Sequence, residues 1–421
     1  MSQDGQVDQA GQAGPAGQGE PASLWTFEFA ALCAISMLAF SNISIFYGFY
    51  GHLTEIGIPP AWRGPLLALE PLTAFALRPF LGRYLTMGNG GRFMAAGFCL
   101  LALSLASYPL ASTIPALAVV RLVHGTGFAV TIGGLMGVLM AILPREKSAQ
   151  GFGLFSLTIL VPYALMPLFV ELLLPHVANT AEVYALAAPL MLPALLLVAL
   201  LRKKVREKTR GMPREHLRRP EWSEVRQSLA QPGVLPLVTA NLCFVAAQSI
   251  VFFFMRDFAV SLGAGNPGMF FTCANAAVIT LRVAGGPLLD RLDKGRVLFW
   301  SYLWLAALVP LFAQAGQAVV LFGMAVLYGM GMAMSMPLTN SCMLQISLPR
   351  LRVFNANLLM LAVDAGFFAG PFLGGMLMAA GWTHTGLFDV GGALMLAAGL
   401  CILPVARQMR RTAQEQTSEH S

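Results

Sequence analysis

Long apolar runs alternate with short polar intervals along almost the entire chain. Each run has about the 20 residues that an α-helix needs to cross the hydrocarbon core of a bilayer. We count twelve runs, at residues 24–48, 62–86, 92–111, 114–142, 148–174, 183–201, 233–257, 267–289, 296–315, 317–346, 352–380 and 384–406. The pattern predicts an all-α integral membrane protein with twelve transmembrane helices.

A polar interval at the midpoint of the chain divides these runs into two groups of six. It contains ten Lys or Arg and four Glu, so we expect it to be a water-exposed cytoplasmic linker. The N-terminal segment has few apolar side chains and is predicted to be a disordered cytoplasmic tail. The predicted units are the tail at 1–23, a six-helix half at 24–201, the linker at 202–232, a second six-helix half at 233–406 and a cytoplasmic C-terminal tail at 407–421.

Related patterns recur in the two halves at a constant spacing. The segment 78–82, Arg-Pro-Phe-Leu-Gly, corresponds to 282–286, Arg-Val-Ala-Gly-Gly, which lies 204 residues later. A Gly-Arg pair at 91–92 recurs at 295–296 with the same offset. A constant offset over a long stretch indicates two copies of one structural unit.

The composition agrees with a membrane protein, because apolar residues make up 57% of the sequence and charged residues only 11%. Lys and Arg beside membrane spans remain on the cytoplasmic side. The even-numbered loops, the linker and the C-terminal tail hold 22 of the 27 Lys and Arg, which predicts that both termini are cytoplasmic. Because these cations are spread over many loops, the net charge of +7 argues for membrane topology and against a nucleic-acid partner.

Three of the charged residues within predicted spans are candidates for function, because ionised groups are rare in a span and normally face the bundle interior. Glu70 in span 2 and Arg121 in span 4 lie at comparable depths, and we expect them to pair if their helices face one another. Asp364 lies near the middle of span 11, with no basic residue near it on its own helix. A carboxyl group in such a setting is suited to proton coupling, so Asp364, Glu70 and Arg121 form the candidate proton-coupling set.

Isolated polar residues within other spans are candidates for lining a substrate cavity. They are Asn42, His124, Asn241, Gln248 and Asn340. His124 follows Arg121 by three residues and therefore shares its face of the helix. A hydrogen bond to another helix explains Asn42 equally well, and it is the better explanation for His124.

The sequence RLVHGTGFA, which begins at Arg121, resembles the Arg-x-x-x-Gly-x-Gly signature on the fourth helix of major facilitator superfamily transporters, especially the drug:proton antiporter-like efflux branch. Segment 286–296 resembles the cytoplasmic loop motif of that superfamily, with a Gly, an Asp-Arg and a Gly-Arg. The first-half copy has Thr86 and Met87 in place of Asp-Arg. The residues of this motif and its flanks form the candidate gating set: Arg78, Gly82, Arg92, Arg282, Gly286, Asp290, Arg291 and Arg296.

The chain departs from the antiporter pattern in span 5. Antiporter members typically carry Gly-x-x-x-Gly-Pro-x-x-Gly-Gly there, whereas this chain has only Pro162 and Pro167. The full pattern occurs in span 11, from Gly366 to Gly375, where it predicts a helix that can bend and that presents a bare face. The displacement weakens the inference of export.

The resemblance implies a secondary active transporter whose two halves expose a central cavity to one side at a time. We expect proton-coupled export of a small organic molecule, a drug or a metabolite, with the proton gradient as energy source and no cofactor or metal. Proton-coupled uptake of a small metabolite and a non-transporting sensor with the same fold are the alternatives. No catalytic motif is found, so we do not expect an enzyme. We expect a multi-pass monomer in the lipid bilayer of the bacterial inner membrane.

Overall fold

The computed structural model describes residues 25–85, 88–143, 148–208, 222–289, 293–348 and 351–418. The predicted N-terminal tail, residues 209–221 of the predicted linker, Asp290 and Arg291 lie outside the described residues. Within the described residues the chain is helical and contains no β-strand. Helices satisfy their own backbone hydrogen bonds, as a segment in hydrocarbon must. The prediction of an all-α fold is confirmed.

Fifteen α-helices follow one another in the described part of the chain. They are α1 (Phe27–Ser44), α2 (Phe49–Glu55), α3 (Pro60–Tyr84), α4 (Gly90–Ser107), α5 (Ile114–Ile142), α6 (Ser148–Leu173), α7 (Thr180–Ala187), α8 (Met191–Lys208), α9 (Trp222–Leu229), α10 (Val234–Ser261), α11 (Met269–Leu289), α12 (Lys294–Leu311), α13 (Ala318–Ile346), α14 (Arg352–Ala379) and α15 (His384–Ser418). Short 3-10 helices, Ile45–Gly48 and Ala188–Leu190, join α1 to α2 and α7 to α8. Each joined pair forms one continuous helical segment.

Ten helical segments in the described residues are long and apolar enough to cross a membrane, with each joined pair counted as one segment. Two further long helices, α3 and α11, correspond to predicted spans 2 and 8 but are less apolar. Helix α3 carries Arg63, Glu70 and Arg78, and the apolar part of α11 is limited to Met269–Ala284. The count of twelve spans therefore remains a prediction.

Two glycines of the Arg-x-x-x-Gly-x-Gly segment bring α5 close to two different neighbours. Gly125 lies against the backbone of Glu70 on α3, and no room is left for a Cβ atom. Gly127 lies against the backbone of Gly97 on α4 in the same way. Helix backbones approach this closely only where side chains are absent. Helix α5 is thereby held against both α3 and α4, and Arg121 comes to lie beside α3.

Three regions of contact connect the two halves. Helix α3 packs against α14, α6 packs against α11, and α10 packs against α2 and the short helix before it. Gly64, near the start of α3, lies against the carbonyl group of Phe372 on α14, and Gly268, just before α11, lies against the backbone of Leu168 on α6. We call the end of the bundle at which α3 and α11 begin the distal end. The opposite end, at which α1 and α10 begin, is the linker end.

Part of the predicted linker is helical and packed against the bundle. Near the end of α8, Lys204 Nζ lies 3.1 Å from Oε1 of Glu28 at the start of α1. Helix α9 docks against the start of α14, where the Ser228 hydroxyl donates a hydrogen bond to Asn355 Oδ1. Ser228 is fully buried, so the water exposure expected for residues 202–232 does not extend to this residue.

Candidate functional site

Arg121 on α5 is almost completely buried and is held by α3. Its Nη2 atom lies 3.8 Å from Glu70 Oε2. Its Nε donates to the carbonyl oxygen of Leu66 over 3.2 Å, and its Nη2 donates to that of Leu67 over 2.7 Å. The two charges that were expected to pair therefore do lie together. The carboxylate and the two carbonyl groups offset the cost of burying the guanidinium group.

Aromatic rings enclose the same guanidinium group. Arg121 Cζ lies 4.8 Å from the ring centre of Phe49 and 5.5 Å from that of Phe46. Tyr184 stacks on Phe46 at a centroid distance of 4.2 Å. A cation over an aromatic face is stabilised more strongly where water is excluded. These rings were not predicted as part of the site, because no pattern in the sequence relates α5 to the aromatic residues of α7 and of the α1–α2 segment.

His124 is fully buried one turn beyond Arg121. Its Nδ1 atom lies 3.1 Å from the Tyr108 hydroxyl, and its ring meets that of Phe46 edge to face at 4.9 Å. Its Nε2 atom has no hydrogen-bond partner within the described residues. A substrate role for His124 remains a prediction, and the contact with Tyr108 provides the helix-to-helix hydrogen bond that was the preferred alternative.

A second ion pair joins the two halves of the molecule. Arg78 on α3 donates through Nε and Nη2 to the two carboxylate oxygens of Asp364 on α14, with 2.8 Å between Nη2 and Oδ1. Bidentate pairs of this kind are strong and directional. The Asp364 side chain is 12% exposed and that of Arg78 is 33% exposed, so water reaches the pair mainly from the Arg78 side. The basic partner of Asp364 thus lies on a helix of the other half.

Four charged groups consequently form a row across α5, α3 and α14. Their order is Arg121, Glu70, Arg78 and Asp364, so the sign of the charge changes three times along the row and the sum is zero. Glu70 and Arg78 are eight residues apart on α3, about 12 Å along the helix axis. Neutralising either carboxylate would leave a guanidinium group without its counter-charge, which is costly in a buried site. Binding of a single proton to either carboxylate therefore changes the charge balance of the row.

The remaining cavity candidates have different partners. Asn42 on α1 is buried, and neither of its amide atoms has a hydrogen-bond partner within the described residues. Asn241 on α10 is buried and donates to the carbonyl oxygen of Leu359 over 3.1 Å. Gln248 is partly buried on α10, whereas Asn340 is exposed on α13 and donates to a carbonyl group of its own helix. Among these residues, Asn42 has the uncommitted amide that a substrate contact requires.

The gating candidates that lie within the described residues are found near helix ends, except for two arginines. Arg78 forms the ion pair with Asp364, and Arg282 on α11 donates from Nε to the carbonyl oxygen of Ala333 on α13 over 2.8 Å. The others are Gly82 in the last turn of α3, Gly286 near the end of α11, and the exposed Arg92 and Arg296 near the starts of α4 and α12. Arg78 thus belongs structurally with the proton-coupling set.

A third polar cluster, at the distal end, was missed. Arg256 donates from Nε to Glu171 Oε1 over 2.5 Å and from Nη2 to Oε2 over 3.3 Å. The buried Tyr47 hydroxyl donates to the same carboxylate. Arg256 lies within α10. Glu171 is an acid inside a predicted span, and that signal, which identified Glu70, could have identified it as well.

The comparison with known families decides the class of protein. A profile of the Major Facilitator Superfamily matches residues 29–345 and 254–420. The chain belongs to the major facilitator superfamily. It is accordingly a multi-pass membrane transporter and not an enzyme. The resemblance seen in the fourth predicted helix is therefore confirmed.

Similar proteins include an exporter and proteins of known structure. The staphylopine export protein of Staphylococcus aureus (strain Mu50 / ATCC 700699) is 24% identical over 372 residues, which cover 85% of this chain and 89% of that protein. A solved D-xylose-proton symporter is 15% identical, with a TM-score of 0.68, and the match covers 90% of this chain and 97% of that one. The solved peptide transporter POT in complex with sulfate is 17% identical, with a TM-score of 0.67 and coverages of 91% and 94%. The two solved structures support the fold alone.

Proposed function

We propose that this transporter exports a small organic molecule from the cytoplasm and that protons drive the export. The main support is the row of four charges, in which Glu70 and Asp364 each face a guanidinium group. Proton coupling requires a carboxyl group that changes its charge as the transporter changes its conformation. The similarity to the staphylopine export protein supports the direction of transport.

The ion pair between Arg78 and Asp364 gives protonation a mechanical consequence. Deprotonated Asp364 holds α14 against α3 through two charge-assisted hydrogen bonds. Protonation removes the negative charge and frees Arg78 for water or substrate. The two halves then separate along α3 and α14 toward the linker end, and loss of the proton restores the contact.

Glu70 supplies the second charge change. It is 6% exposed, and at 3.8 Å its carboxylate is too far from Arg121 for a good hydrogen bond. Within the described residues neither of its carboxylate oxygens accepts a hydrogen bond. A proton or a cationic group of the substrate can therefore compete with Arg121 for this carboxylate.

We further propose that the transporter lies in the bacterial inner membrane as a monomer, with both termini in the cytoplasm. The bias of Lys and Arg toward the even-numbered loops supports this orientation. The ion pair between Lys204 and Glu28 supports it too, because it places the start of α1 on the same side as the basic end of α8.

Proton-coupled uptake of a small metabolite is the second candidate. The same fold serves proton symport in the D-xylose-proton symporter, and α6 lacks the glycine pattern typical of antiporters. A non-transporting sensor is disfavoured, because a purely structural bundle would gain stability if apolar residues replaced Glu70, Arg121 and Asp364.

Purified protein in liposomes provides the test. The internal pH is followed under an imposed proton gradient while cationic, neutral and anionic drugs and metabolites are added to wild type and to Asp364→Asn. We expect substrate-dependent proton flux that Asp364→Asn abolishes. The protons should move in the direction opposite to the substrate, as in antiport. Flux with the sign of symport would establish uptake, and flux unchanged in Asp364→Asn would move the coupling role to Glu70. Protein that gives no flux with any compound would contradict proton coupling.

A further inference from the structure

The two halves contact each other through equivalent residues. Gly64 lies against Phe372 between α3 and α14, and Gly268 lies against Leu168 between α11 and α6. Gly268 follows Gly64 by 204 residues, and Phe372 follows Leu168 by 204. The offset that relates the sequence motifs therefore also relates the contacts between the halves, so the α6–α11 interface is the counterpart of the α3–α14 interface.

The same offset relates the Arg78–Asp364 pair to two positions at the α6–α11 interface, one of which lacks a carboxylate. Arg282 is the counterpart of Arg78, and Leu160 on α6 is the counterpart of Asp364. Arg78 has its bidentate carboxylate across the interface. Arg282 has an apolar residue at the equivalent position, and within the described residues it forms no ion pair. Among the described residues, one of two symmetry-related guanidinium groups thus has no counter-charge.

Arg282 shares a face of α11 with a residue that contacts the first half. Phe271, Asn275 and Arg282 follow one another at spacings of four and seven residues, which places them along one face of the helix. The ring of Phe271 contacts Tyr47 of the first half at a centroid distance of 5.6 Å. The face of α11 that carries Phe271 therefore also carries Arg282, whose guanidinium group reaches the backbone of Ala333 on α13.

The contacts of Arg282 leave its outer nitrogens available. The side chain is partly buried, and Nε donates to Ala333 on α13 over 2.8 Å, which holds the guanidinium plane in position. Nη1 and Nη2 make no hydrogen bond with the described residues. A guanidinium group offers its donors in a planar fork that matches a carboxylate. The conformation is suited to an anionic partner, which the described residues do not provide.

We propose that Arg282 binds a carboxylate of the transported molecule, which is therefore an organic acid or a zwitterion. The inference rests on the proposed transport function and adds to it the charge class of the substrate. The substrate carboxylate takes the place that Asp364 occupies at Arg78, so that a loaded transporter has a guanidinium–carboxylate pair at both interfaces. Glu70 remains available for a cationic group of a zwitterion.

The proximity of position 160 to Arg282 is tested first, by thermal unfolding of full-length protein in detergent micelles. Leu160→Asp supplies the missing carboxylate, so we expect only a small loss of thermal stability in the presence of Arg282. The same change combined with Arg282→Gln should lower the midpoint far more than the sum of the two single changes, because the new carboxylate is then buried without a partner. Val161→Asp, one residue further along α6, is the matched control and should behave additively. Additive behaviour of Leu160→Asp would overturn the assignment.

The binding role is tested with two probes that differ only in charge, N-acetylphenylalanine and its amide. We expect the acid to bind to wild type and the amide to bind at least about tenfold more weakly. Arg282→Gln and Leu160→Asp should each weaken binding of the acid at least about tenfold, whereas Leu160→Asn should keep it. Equal binding of acid and amide, no binding of the acid, or unchanged binding in Arg282→Gln would overturn the proposal.

Proton flux separates this inference from the proposed function. Carboxylate-selective binding that depends on Arg282, in a protein without proton flux, would contradict proton coupling and preserve the anion site. Substrate-dependent proton flux that is unchanged in Arg282→Gln would preserve the transport function and overturn the anion site.

Discussion

Pro71 determines where the Arg121 guanidinium group is held. In a regular helix the carbonyl group of Leu67 would accept a hydrogen bond from the N–H of residue 71, but proline has no N–H. Arg121 Nη2 donates to this free carbonyl oxygen over 2.7 Å. The sequence Glu70-Pro71 therefore offers a carboxylate and an unpaired carbonyl group side by side, and together they can bind a cation inside the membrane.

We expect Pro71→Ala to raise thermal stability and to impair transport. Alanine is the better helix former, but its N–H competes with Arg121 for the Leu67 carbonyl oxygen. A hydrogen bond to a charged group contributes about 1.5–3 kcal/mol, so a loss of at least about threefold in substrate-dependent proton flux is expected. Flux in liposomes and thermal unfolding in micelles measure the two effects. Pro65→Ala, in the first turns of the same helix, is the control and should leave flux unchanged.

The contact between Glu70 and Arg121 could be predicted from depth within the spans, whereas that between Arg78 and Asp364 could not be predicted from depth. Depth within a span follows from counting residues, and an isolated charge at a given depth requires a partner at a similar depth. The pairing of Arg78 with Asp364 depends on the rotation and axial position of α3 relative to α14. Those are set by the packing of many small side chains at the interface between the halves, which no local pattern encodes.

At the level of helices, the glycines of α5 act as spacers that position the site. Gly125 allows the backbone of α3 to approach α5, which brings Glu70 within 3.8 Å of Arg121. The Arg-x-x-x-Gly-x-Gly pattern therefore supplies both the cation and the close approach that its counter-charge requires. The docking of α9 through Ser228 could not be predicted, because a short polar helix has no distinguishing hydrophobic period.

Gly125→Ala should separate α3 from α5 and weaken the Glu70–Arg121 contact. The added Cβ atom would meet the backbone of Glu70, which cannot give way as a flexible side chain could. Overpacking of this kind costs about 1–3 kcal/mol, so the unfolding midpoint in micelles should fall. Gly323→Ala on α13 is the control, since a Cβ atom there meets nothing within 4 Å, and it should keep or raise the midpoint. Equal midpoints for the two variants would contradict this account of α5.

At the level of the whole molecule, guanidinium–carboxylate pairs connect the two halves at two heights along the bundle. At the distal end, Glu171 of α6 pairs with Arg256 of α10. Nearer the linker end, Asp364 pairs with Arg78. Alternating access requires that the halves separate at one end while they remain in contact at the other. The Asp364 pair is the more exposed of the two on its cationic side, so we expect it to exchange protons more readily than the distal pair.

Neutralising the distal pair should therefore open the distal end. In the double variant Glu171→Gln with Arg256→Gln, the charge attraction of this pair is lost, and Asp257, which lies 4.0 Å from Arg256 Nη1, also loses a cationic neighbour. Spin labels at Leu110→Cys and Gly316→Cys, in a background without the six native cysteines, report the separation of the two halves there, since both positions are exposed at the distal end.

We expect a population with a longer label-to-label distance in the double variant than in the labelled parent. Glu182→Gln is the control, because the Glu182 carboxylate accepts a hydrogen bond from the nearby backbone of Ala178, within the first half. Distances that are the same in all three proteins would mean that apolar and glycine packing alone closes the distal end. In that case the charge on Glu171 would not be what closes the distal end. When the transporter changes the side to which its cavity opens, protonation of Asp364 would have to act against packing forces alone.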